Sequence, residues 1–135
     1  MIVLAAPALL VTIHTAFAPL ILAIGGAAVL CGAALIMLTR RAGSAPAGPR
    51  EAFRFLLTTT AVLGILQAIC GLLLLLFGER PADQLHYVYG GIVLLAIPVA
   101  YAYSDQKDVR RDIIVMTIAA VAIVGAAVRA VMTGA

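Results

Sequence analysis

From Pro7 to Leu38 the chain runs without one Asp, Glu, Lys or Arg. About 20 apolar residues in a helix cross a bilayer core of about 30 Å, so this run is more than long enough to span. No basic segment precedes it, and it continues far past the apolar stretch of a secretory signal. It therefore reads as a retained membrane helix, tilted or overhanging. The whole chain shares this character: 64% of its 135 residues are hydrophobic and 11% are charged. Soluble domains carry about 45–50% apolar and about 25% charged residues. A chain with so little polar surface cannot face water all round, and the bilayer is its solvent. The formal charge of +3 is small and its arginines are scattered, which argues against a nucleic-acid partner.

The remaining spans follow from the breaks between apolar runs. The first helix covers about 7–38, with Pro7 at its start and Pro19 predicted to bend it; Thr12 and Thr15 stand near the bend to satisfy backbone groups. Arg40 to Arg50 is rich in Gly, Pro and Ser and reads as a flexible loop. A second helix is expected at about 53–77, with Gln67 its only strongly polar interior residue. Gly78 and Pro81 bracket a turn carrying Glu79, Arg80 and Asp83. The third helix is expected at about 85–103, with Pro98 as a kink, and the fourth at about 112–132 after a charged connection over 104–112. Short loops join helices as antiparallel neighbours. The prediction is an all-α, integral membrane, up-down four-helix bundle forming a single transmembrane domain.

Only two histidines occur, and an imidazole in an apolar helix needs a reason. His14 lies roughly 36 Å along the first helix from Leu38. His86 opens the third helix at that same end of the bundle. Arg129, roughly 25 Å along the fourth helix from Asp112, reaches the same level. The first and third helices are diagonal in an up-down bundle, so the two histidines face each other across its axis. On the first helix His14, Ala18, Gly25 and Gly32 share a face; Gly90 and Gly91 follow His86 by one turn; Gly64, Gln67, Gly71 and Gly78 line a face of the second helix. Small residues leave room beside a ligand histidine, and they also let membrane helices pack closely. A faint internal echo links the halves: each histidine has an aromatic three residues on (Phe17, Tyr89) and a small residue four on (Ala18, Gly90).

Two imidazoles on opposite sides of a plane are what low-spin haem iron takes. Here the chain resembles the membrane b-type cytochromes, whose haem is held between histidines on diagonal helices of a four-helix bundle. The resemblance is one of topology and covers most of the chain. It implies one haem b with His14 and His86 as its axial ligands; Arg129, by its level, is then in reach of a propionate, and Gly90, one turn after His86, leaves room beside the ring. It also implies an electron carrier or subunit rather than a stand-alone enzyme, with a redox partner or larger membrane complex, because one haem does not cross a bilayer. The competing reading is a cofactor-free accessory subunit of a larger membrane assembly, with His86 an interface residue beside Tyr87 and Tyr89. Quinone or small-lipid binding near Gln67 and His86 is a third. Cys31 and Cys70 fall at different depths, which argues against a disulfide between them. There is no CxxC, no phosphate loop and no nucleophile motif. In a membrane helix Arg129 also calls for an anionic partner, a propionate or an acid of the Glu79–Asp83 turn.

Basic residues set the expected orientation. Arg40, Arg41, Arg50 and Arg54 flank the first connection and Lys107, Arg110 and Arg111 the third, against Arg80 and Arg129 at the other end. The positive-inside rule puts the basic loops, 39–54 and 104–112, in the cytoplasm and both termini outside, in a cell's inner (plasma) membrane. With Cys31 and Cys70 replaced, an impermeant thiol reagent added outside should label a cysteine introduced at Ala82 and spare one at Ala45. The reverse pattern would invert the orientation.

Overall fold

The computed structural model describes residues 2–104 and 107–134. They form α1 (Ile2–Ala42), α2 (Ala47–Leu76), α3 (Leu85–Tyr103) and α4 (Val109–Gly134), with no strand among the described residues. All four helices are long and apolar enough to cross a membrane. The all-α membrane bundle read from the sequence is the architecture observed.

The helices run further than expected. α1 starts at Ile2 and ends at Ala42, α2 begins at Ala47 rather than near 53, and α4 begins at Val109 rather than near 112. The Arg40–Arg50 segment is therefore no flexible loop but a tight break between two helices. Its physical reason is local. Gly43 takes a left-handed φ of 73° and its N–H donates to Thr39 O at 3.0 Å, closing α1 as a glycine after a helix does. Pro46 is extended, and Pro49 sits in the first turn of α2, where a missing N–H costs nothing. α2 ends the same way: Gly78 has φ 87°, and the N–H groups of Phe77, Gly78 and Glu79 donate to Leu73, Leu75 and Leu74 carbonyls at 3.0–3.1 Å. The third connection includes residues 105–106, which lie outside the described residues. α1 stays helical through Pro19 and α3 through Pro98. The Thr12 hydroxyl donates to Ala8 O, and that of Thr15 to Val11 O and Thr12 O, each at 3.0 Å, so both hydroxyls are satisfied within the helix.

α1 packs against α2 and α4, and α4 also against α3; α2 and α3 share the least extensive contact of the neighbouring pairs. α1 and α3 stand across the diagonal. The core joins Ile21, Ala28 and Leu35 of α1, a heptad apart, with Phe53 and Leu57 of α2 and Ile113, Met116, Ala120 and Ile123 of α4. The outside is apolar: Leu30, Phe55 and Leu76 are 73%, 71% and 75% exposed, a surface suited to lipid and not to water. Small residues set the helix spacing. A Cβ at Gly32 would overlap the Thr117 hydroxyl and stand 2.9 Å from the Phe53 ring, so α1 approaches α2 and α4 only because Gly32 is bare. Gly64 approaches α3 in the same manner, with Val93 O at 3.2 Å from its Cβ position. Gly32→Ala should therefore cost about 1–3 kcal/mol through overpacking, whereas Gly26→Ala, where a Cβ meets nothing within 4 Å, should be neutral or stabilising. Thermal unfolding of both variants in detergent checks this, and equal melting temperatures would contradict it.

Candidate functional site

His14 and His86 meet. Their ring centroids are 5.9 Å apart with 51° between the planes, and both rings are half-buried. α1 and α3 bring them to one level from opposite corners of the bundle, and α2 and α4 hold them there.

α4 supports His86. Its Nδ1 lies 2.9 Å from Ala130 O. A carbonyl only accepts, so the proton is on Nδ1 and the lone pair on Nε2. The same carbonyl takes a second bond from the Thr133 hydroxyl at 3.3 Å, using its other lone pair. Gly134 stands behind the ring: a Cβ there would come within 2.8 Å of the imidazole. The start of α3 is pinned as well. The Asp83 carboxylate accepts from Leu85 N–H at 2.9 Å, and Asp83 N–H donates to Thr133 O at 3.1 Å, tying the turn before α3 to the end of α4.

α2 supports His14. Gln67 Nε2 is 3.3 Å from His14 Nε2, and a Cβ on Gly71, one turn further, would meet His14 Cε1 at 3.3 Å. Two atoms of this pair, His14 Nδ1 and Gln67 Oε1, are buried without a hydrogen-bond partner. Rotating the amide by 180° exchanges its oxygen and nitrogen. Oε1 then accepts from Nε2–H, and the only orphan left is a lone pair on Nδ1. In that arrangement each histidine has one anchored N–H and one nitrogen lone pair free.

The other predicted residues stand differently. Arg129 is exposed, with its guanidinium carbon 5.6 Å from the centroid of the Tyr89 ring. No carboxylate comes within ion-pairing distance of it among the described residues. Its nearest partner is Tyr89, through the ring face and a side-chain hydrogen bond, and Asp83 of the preceding turn, which also accepts from Leu85 N–H, adds a longer-range attraction to it. Gly90 does not abut the histidines: a Cβ there would meet nothing within 4 Å. Gly25 and Gly32 serve helix packing. The glycines against the imidazoles are Gly71 and Gly134. Gln67 and Gly71 carried a sequence signal, a lone polar residue and a glycine on one helix face. Ala130 carried none, since it acts through its backbone.

No group of three or more His, Cys, Asp or Glu gathers among the described residues. No protein-family model, curated protein or solved structure matches this chain. What fold and site define is a multi-pass membrane four-helix bundle with two imidazoles paired between diagonal helices.

Proposed function

We propose that this chain is a small membrane electron-transfer protein or subunit that binds one b-type haem through His14 and His86. The observation that carries the reading is the 5.9 Å between ring centroids. Two imidazole nitrogens each about 2 Å from a shared metal put ring centres about 6 Å apart, given metal–imidazole bonds of ordinary length. The donor chemistry agrees. A bare ion would require three or four protein donors, and no group of three His, Cys, Asp or Glu gathers there among the described residues. A macrocycle brings its own four nitrogens and needs only the axial pair, for which the two free lone pairs are suited.

When bound, such a haem supplies one-electron redox chemistry. The chain's own part is orientation. Ala130 O and the Gln67 amide hold the outer nitrogens, a second shell that fixes ring direction and raises ligand basicity. Gly71 and Gly134 keep the space behind the rings clear. The sparse α2–α3 contact is the natural seam for a flat ring to enter. Arg129, adjacent to Ala130 in the chain, supplies a cation for a propionate. Placed near one membrane face, the outer one on the positive-inside argument, a single haem requires a redox partner on the same side. A cofactor-free accessory subunit is the second reading, favoured by one fact: both histidines already have a protein partner.

The two readings part on a spectrum. Protein purified from cells supplied with haem should show a sharp α-band on dithionite reduction. His14→Ala and His86→Ala should each lower bound haem more than tenfold, since no third histidine exists to substitute. A wild-type protein without the band, or a His14→Ala variant with full haem content, would leave the accessory-subunit reading in its place.

A further inference from the structure

The opposite end of the bundle holds a second candidate site, independent of the histidines. A bowl of about 420 Å³ opens where α1, α2 and α4 meet their connections. Arg50 from the first turn of α2, Lys107 from the third connection and Arg110 from the first turn of α4 converge on it, beside Thr39 and Ser44. One acid, Asp108, also lines the bowl, with a carboxylate oxygen accepting from Arg111 N–H at 3.0 Å. Arg50 is half-buried, yet neither its guanidinium nor that of Arg110 has any acceptor among the described residues. Arg50 and Arg110 thus line one concavity with no hydrogen-bond acceptor on either guanidinium among the described residues, beside a single acid whose carboxylate accepts from the Arg111 backbone, and planar forks match phosphate oxygens.

We infer that this bowl binds the phosphate group of an acidic membrane lipid. The phosphate chemistry follows from the unpaired guanidinium groups, and the lipid source from what lies next to them. Thr39 belongs to the last turns of α1, directly after Met37 and Leu38, which are 56% and 41% exposed. A ligand with an anionic head and apolar tails covers both surfaces at once, and free phosphate covers one. Basic pockets between membrane helices at the cytoplasmic boundary recognise anionic headgroups in this way. The orientation expected from the basic loops puts the bowl on the face where acidic lipids attract such clusters.

The test uses the full chain in nanodiscs of phosphatidylcholine with a minor fraction of phosphatidylglycerol, and native mass spectrometry to count retained lipids. The wild type should retain one phosphatidylglycerol in preference to phosphatidylcholine. Arg50→Gln with Arg110→Gln should lower that retention by roughly tenfold or more, two basic contacts being removed. Arg40→Gln with Arg41→Gln removes the same charge outside the bowl and should change it little. Should the first double variant fold poorly, Arg110→Gln alone alters an exposed side chain and should still give a severalfold loss. Equal losses in the two double variants would reduce the effect to diffuse charge and overturn the site. So would a wild type that retains no phosphatidylglycerol. Displacement of the lipid by inorganic phosphate, with the same dependence on Arg50 and Arg110, would overturn the lipid assignment in favour of a soluble anion.

Discussion

A polar group inside a hydrocarbon solvent has no water to turn to, and this one constraint organises the end of the bundle that carries the histidines. An unsatisfied donor or acceptor there costs several kcal/mol, about what a whole helix contact contributes. His86 meets the requirement through Ala130 O, and His14 meets it in part through Gln67. Each tie crosses between helices, α3 to α4 and α1 to α2. The polar atoms thus do at this level what apolar side chains do below it. The Asp83–Thr133 backbone bond, at 3.1 Å, adds a third cross-tie near the same end.

Below that level the bundle is held by close approach. Gly32 lets α1 settle against Phe53 and Thr117, and α4 presents an almost continuous face of Ile113, Met116, Ala120, Ile123 and Ala127 to the core. Contact thins between α2 and α3. The division has a functional logic. Extensive α1–α2, α1–α4 and α3–α4 contacts form a framework that holds the two rings, His14 tied to α2 and His86 to α4, and the loosest seam between neighbours runs along α2 and α3. In the haem reading the framework sets ligand geometry and the seam admits the ring; in the accessory reading the same seam faces lipid or a neighbouring subunit.

Much of this was legible in the residues, for reasons that differ from place to place. The helix count came from apolar runs, a signal the bilayer makes strong because its thickness sets a minimum length. The common level of His14 and His86 came from a constant rise per residue and survived the prolines, since both Pro19 and Pro98 sit inside unbroken helices. The start of α2 was not legible: Pro46, Gly48 and Pro49 read as a loop, yet a proline within a first turn is harmless. For Arg129 the sequence calls for an anion, a propionate or an acid of the Glu79–Asp83 turn. The Tyr89 contact, through ring and hydrogen bond, was not legible, because Tyr89 stands out only as the aromatic three residues after His86. The tie to Ala130 was out of reach, because any residue type offers the same carbonyl.

The central claim is that the two imidazoles share one iron. Electron–nuclear double resonance on the oxidised protein, grown with ¹⁵N-histidine as its only labelled residue, reads that directly. The account predicts strong coupling of a low-spin ferric centre to two ¹⁵N nuclei, falling to one or none when either His14 or His86 is replaced. A bound haem coupled to no histidine nitrogen, or to only one in the wild type, would contradict it.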